Sequence, residues 1–130
     1  MLVDTDVLIW LTRGHPGAAA RLRQPGQRRI SAVTYMELAQ GCRNKSELER
    51  IRKALNDGGI PIVPVTEIVC ERAMRLIDSH ALSAGLQLGD ALIAATALEQ
   101  GWTLLTANVK HFAPIEGLTV ERFDPAQGVE

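Results

Sequence analysis

Four side chains able to hold a cation or activate a hydroxyl are scattered along the chain: Asp4, Glu37, Asp90 and Asn108. Each has an ordinary reading when taken alone. Asp4 follows a short apolar run. Glu37 lies in a helical stretch where a carboxylate is normally solvated. Asp90 stands where an acid commonly caps a helix, an arrangement that contributes about 1 kcal/mol. Brought together, they would pose an electrostatic problem. Carboxylates within a few ångströms of one another must take up protons, scatter or share a cation. Oxygen donors of this kind select Mg²⁺ or Mn²⁺ over zinc. The histidines His15, His80 and His111 are widely spaced and read as surface residues. A hard cation held by carboxylates suits phosphodiester hydrolysis, because it acidifies a bound water and offsets charge on the phosphate oxygens.

The elements that must position these groups alternate between short apolar strands and helices. Residues 1–4 read as a buried strand and 5–11 as a helix, stopped by Gly14, Pro16 and Gly17. A short helix over 16–22, a strand over 29–31 and a helix over 33–42 follow. Ser46 and Glu49 have capping-box spacing for the next helix, whose apolar stripe is Leu48, Ile51 and Leu55. Residues 60–65 read as a strand with edge character, because Pro61 and Pro64 cannot donate to a ladder. A long helix is predicted over 66–82. Another begins at Gly89-Asp90 and runs to about 100, and it is apolar almost all round, which makes it central. Strands over 103–106 and 118–123 complete the pattern. Strands separated by helices imply crossovers and a parallel sheet. Ligands of such sheets collect beyond the carboxyl ends of the strands. Asp4 and Asn108 fall at strand ends on that edge, Asp90 opens the buried helix, and Glu37 lies in the helix after the second strand.

The 130 residues suggest one α/β domain over 1–130, with 46% hydrophobic and 22% charged residues and a formal net charge of −1. Cys42 and Cys70 match no metal spacing and read as small core residues in a reducing compartment. The apolar run from Val7 to Leu11 is too short to span a bilayer, and Asp4 interrupts a signal-peptide pattern. A soluble cytoplasmic protein is expected. The basic residues are distributed unevenly: no acid occurs between Asp6 and Glu37, a stretch holding Arg13, Arg21, Arg23, Arg28 and Arg29, with Arg43 and Lys45 beyond. Two readings stand side by side, a solvated basic face and a rim that tracks phosphates beside the acids.

Four segments carry a resemblance. Leu2-Val-Asp4-Thr-Asp6-Val-Leu-Ile9 resembles the opening motif of PIN domains. Ser31-Ala-Val-Thr34-Tyr-Met-Glu37-Leu38 is similar to their second motif, in which an acid follows a Ser or Thr by three residues. Gly89-Asp90-Ala-Leu-Ile93-Ala-Ala95-Thr-Ala97 looks like the third, and Leu104-Leu-Thr106-Ala-Asn108-Val-Lys-His-Phe112 like the fourth. Their order and gaps are family-like over nearly the whole chain, and the short length points to the VapC branch, the toxins of toxin–antitoxin pairs. The resemblance implies a three-layer α/β/α domain and Mg²⁺- or Mn²⁺-dependent RNA cleavage leaving a 5′-phosphate. It implies metal binding by Asp4 and Asp90, with Glu37 a third acid of the site. Asp6, Thr34 and Thr106 would support that site. It also implies an antitoxin partner and a homodimer, with Trp10 and Tyr35 on helices near the site. The sequence departs from many members at Asn108, where an aspartate is common; an amide oxygen can still bind a cation or its water.

Two rivals differ in class. Asp4-Thr-Asp6 also fits phosphatases of the haloacid dehalogenase type, but there the Ser- or Thr-bearing strand precedes the Gly-Asp motif, and here Thr106 follows Gly89-Asp90. The other rival is a PIN scaffold without activity that serves as a binding module in a repressor complex; fold alone does not separate it from an enzyme.

Overall fold

The two-residue rhythm of the strands decides the layering, because successive side chains on a strand point to opposite faces. In the computed structural model, which describes residues 1–126, β1 (Leu2–Val3) and β4 (Leu104–Thr106) lie side by side in parallel, with Leu2 opposite Leu104 and Val3 opposite Leu105. Leu2 and Leu104 enter one apolar cluster; Val3 and Leu105 enter the other. All four are fully buried. A sheet with two apolar faces needs a helical layer on each.

The first face is covered by α5 (Glu67–Ala84) and α6 (Leu88–Gln100), through Val69, Ala73, Ala91 and Ala94, and by Phe112 of the short α7 (Val109–Phe112). The second is covered by α1 (Thr5–Thr12), α2 (Pro16–Arg23) and, toward the edge, by α3 (Ala32–Gln40) and α4 (Lys45–Asp57). Val7, Leu8, Ala18, Leu38 and Leu55 form that layer. The three-layer α/β/α architecture is therefore present.

β4 also pairs in parallel with β5 (Val120–Arg122). β2 (Ile30–Ser31) and β3 (Ile62–Val63) form a second parallel pair. A Leu2–Arg29 bridge, with the Val3 amide donating to the Arg29 carbonyl, joins the two ladders. The spatial order is thus β3, β2, β1, β4, β5. β3 takes the edge, as its prolines require.

Several local expectations are corrected. The cap of α4 is Asn44, whose side chain accepts from the Glu47 amide, while Glu47 turns back to the Arg43 amide; Ser46 and Glu49 lie inside the helix. Asp90 is the third residue of α6, and Gln87 is the cap. His15 is not a surface residue. It is buried, caps α2 by accepting from the Ala18 amide, and packs edge-on against Trp10 and Phe123. Cys42 is half-buried and Cys70 exposed, so neither is a core residue. Among the described residues no helix is long and apolar enough to cross a membrane.

Small residues let α6 lie close to both α5 and the sheet: Ala91, Ala94 and Ala95 are wholly buried. Enlarging one of them must displace its neighbours. Ala94→Leu is expected to cost about 1–3 kcal/mol, read from the urea midpoint. An unchanged midpoint would mean that α6 has slack on that face.

Candidate active site at the carboxyl edge of the sheet

Asp4 stands where β1 ends and α1 begins. Its Oδ1 accepts from the Thr5 amide at 2.8 Å and caps the helix, and its Oδ2 accepts from Thr106 Oγ1 at 2.8 Å. Thr106 is the last residue of β4, the neighbouring strand. Its hydroxyl has one proton, which goes to Asp4, and its oxygen accepts from the Asn108 amide at 2.9 Å. Asp6, one step into α1, turns its Oδ2 to the Ala107 amide at 3.1 Å, while its Oδ1 is buried and has no hydrogen-bond partner among the described residues. The adjacency of β1 and β4 thus places two carboxylates on one threonine.

Burial first, and the Asp6 charge second, push the Asp4 carboxyl up to about 7, despite the bonds from Thr106 and Thr5; Asp90 adds to the rise. Burial also raises Asp6. Two carboxylates held this way favour a proton, or a cation, between them.

Glu37 reaches the edge from the middle of α3. Thr5 Oγ1 lies 2.9 Å from Glu37 Oε1 and 3.0 Å from the oxygen of the fully buried Thr34. With one proton on each hydroxyl, Thr34 donates to Thr5 and Thr5 donates to Glu37. The carboxylate also packs on Gly89, where a β-carbon would sit 3.4 Å from both of its oxygens. Gly89 therefore lets α3 and the start of α6 come together. Asp90 follows directly; its Oδ2 accepts from the Gln87 amide and lies 3.3 Å from Nδ1 of His111. The same imidazole nitrogen is 2.9 Å from Nδ2 of Asn108.

Asp4, Asp6, Glu37, Asp90 and Asn108 therefore share one edge, tied by Thr5, Thr34 and Thr106. Sequence reasoning overlooked Thr5 and His111. Thr5 had a visible signal, since it sits between two candidate acids, but its reach to Glu37 depends on how α1 meets α3. His111 belongs to the α7 turn, which was not predicted.

The donor set fits a hard divalent cation. It is all carboxylate and amide oxygen apart from His111, it includes a buried oxygen without a partner, and its acids repel one another. Among the described residues no three acidic, imidazole or thiol groups converge as a finished cage. A Mg²⁺-type ion does not need one, because it keeps several waters.

A parallel α/β sandwich whose carboxyl edge gathers repelling acids defines a class: α/β domains with a cation-seeking acidic centre beyond the sheet. The family is specific. Residues 1–116 match the PIN domain, and the chain belongs to that family. It is 38% identical over 122 residues to "Ribonuclease VapC10" of Mycobacterium tuberculosis, covering 91% of this chain and 90% of that one. It is 34% identical over 130 residues to "Ribonuclease VapC1" of Rickettsia felis, covering 92% and 93%. Among solved structures it is similar to a chain of a toxin–antitoxin complex from Klebsiella pneumoniae, with TM-score 0.77, 33% identity and coverage of 94% and 98%.

The raised Asp4 carboxyl makes metal-free stability pH-dependent. Between its ordinary value of 3.8 and about 7 the folded chain keeps a proton that the unfolded chain has lost. Stability therefore falls as pH rises through that window and levels above it. Asp4→Asn is expected to flatten the slope and to exceed the parent in melting temperature above pH 7, measured in chelator. An equally steep slope in the variant would place the titration elsewhere.

Proposed function

We propose that this chain is the RNA-cleaving toxin of a toxin–antitoxin pair, a PIN endoribonuclease acting with Mg²⁺ or Mn²⁺ held by Asp4, Glu37 and Asp90. The carrying observation is the Asp4–Thr106–Asp6 cluster with its unpartnered Asp6 oxygen, on a chain whose relatives are named ribonucleases. The bound cation would supply Lewis acidity, acidifying water and offsetting charge on the scissile phosphate.

The chain's own groups have separable tasks. Thr106 and the Thr5 amide hold Asp4 in one rotamer, so its carboxylate needs little reorganisation on binding a cation. Asp6, fixed by the Ala107 amide, adds charge beside it. Thr5 donates to Oε1 of Glu37 and so fixes the direction in which this third acid would meet the cation. Asn108 contributes a dipole rather than a charge. The proposed partners are RNA, a cognate antitoxin and a second copy of the chain, in the cytoplasm. Light scattering at high micromolar concentration checks the homodimer.

Cleavage of RNA with and without Mn²⁺ separates the enzyme from an inactive scaffold. Asp4→Asn is expected to lower the rate by more than about a hundredfold, since even groups that merely support a metal ligand are worth about 10–100-fold. Full activity in the folded variant would sink the assignment. Asn108→Asp adds a charged oxygen to the edge and is expected to lower the Mn²⁺ concentration giving half-maximal cleavage. Equal Mn²⁺ affinities by calorimetry would put residue 108 outside the metal's reach.

A further inference from the structure

Phe112 is buried in the first apolar cluster and pins the short α7 to that layer. Its neighbour His111 is thereby held at the acidic edge, with its side chain 40% exposed. The imidazole has no task in the proposed reaction, yet its Nδ1 lies 3.3 Å from Oδ2 of Asp90 and 2.9 Å from Nδ2 of Asn108. Asn108 stands at the start of α7, where an asparagine side chain ordinarily accepts from a free helix amide. It makes no such bond and turns to His111 instead. The amide N–H donates, so Nδ1 accepts and carries a lone pair. Two electron-rich atoms, this nitrogen and the Asp90 oxygen, thus sit side by side, an arrangement that favours a positive centre between them.

The spacing suits a metal ion. In an octahedral shell with bonds of about 2.1 Å, adjacent donors lie about 3.0 Å apart. Both contacts of Nδ1 are close to that separation. A half-turn of the Asn108 amide exchanges its nitrogen for its oxygen at the same place. Asp90, Asn108 and His111 can then offer two oxygens and one nitrogen to one ion. The nitrogen changes what the edge selects. Carboxylate, carbonyl and water oxygens suit Mg²⁺ and Mn²⁺ alike, whereas imidazole favours first-row transition ions. Mg²⁺ exchanges its waters reluctantly and gains least from a nitrogen donor.

We infer that His111 is a nitrogen ligand of the cation held by Asp90, and that it makes this site select Mn²⁺ over Mg²⁺. This rests on the metal-dependent reading above and adds a ligand and the choice of ion. Of the other two histidines, His15 is buried with both ring nitrogens engaged, one by the Ala18 amide and one by the Pro125 carbonyl. His80, toward the end of α5, serves as the comparison.

The test uses the full chain, stripped with chelator and labelled with the heavy nitrogen isotope at its histidines alone. Mn²⁺ binding is followed by electron paramagnetic resonance, and the bound ion is probed for hyperfine coupling to the labelled nitrogen. The parent is expected to show a directly bonded histidine nitrogen. His111→Ala should abolish that coupling and raise the Mn²⁺ Kd about tenfold or more, since even groups that merely support a ligand are worth about 10–100-fold. The Mg²⁺ Kd, read by competition against Mn²⁺, should rise less than about threefold, because Mg²⁺ readily keeps a water in that position. His111→Asp supplies an oxygen in place of the nitrogen; it is expected to restore binding without the coupling and to narrow the preference for Mn²⁺. His80→Gln should leave the coupling and both affinities unchanged. Bound Mn²⁺ without nitrogen coupling would overturn the inference and leave the ribonuclease reading intact. Coupling that survives His111→Ala but is lost in His80→Gln would do the same, and equal losses of Mn²⁺ and Mg²⁺ in His111→Ala would overturn the selectivity. A parent that binds no Mn²⁺ would end the inference and the metal-dependent reading together. Coupling that depends on His111, in a chain that fails to cleave RNA, would end the ribonuclease reading and leave the ligand standing.

Discussion

Repulsion among carboxylates at the carboxyl edge of the sheet is the constraint around which this domain is organised. Asp4 and Asp6 are drawn out of water where β1 meets α1, and among the described residues no basic side chain pairs with either; burial is the largest cause raising both. What holds them is a set of neutral donors: the Thr106 hydroxyl and the amides of Thr5 and Ala107. Neutral donors fix the direction of a carboxylate without consuming its charge. An arginine in the same place would have made a closed ion pair with nothing left for a ligand.

That choice propagates outward. Thr106 can serve Asp4 only because β4 lies against β1, and β4 lies there only because α5 and α6 make the crossover and cover one face. α6 must sit low on the sheet for its first turn to reach the edge, and its alanines allow this. Gly89 then permits contact with Glu37, which the Thr34–Thr5 relay holds from the other side. The two helical layers thus meet the edge from opposite faces, each delivering an acid.

The electrostatics of the surroundings are arranged with the same economy. Basic residues that could quench the acids are committed elsewhere, on Glu121, on backbone carbonyls or on Trp102. Arg13, Arg43 and Arg50, left near the edge, line a cleft together with Glu37 and Glu47.

The one-dimensional pattern determined the element types apart from the short α7, the parallel sheet, the centrality of α6 and the acids that meet, because apolar periodicity and strand-end position are local properties that survive folding unchanged. Boundaries shifted where two polar side chains compete for one cap, as Asn44 did with Ser46. Tertiary structure alone decided the partners. Whether Thr5 reaches Glu37, whether His111 meets Asp90 and Asn108, and whether Arg50 rather than Arg28 or Arg29 faces the site all depend on which helices touch. His15 shows the same limit: spacing made it a surface residue, yet Trp10 and Phe123, far from each other in sequence, close over it. Contacts between residues distant along the chain leave no periodic trace in a single sequence, so they become visible only when packing brings the elements together.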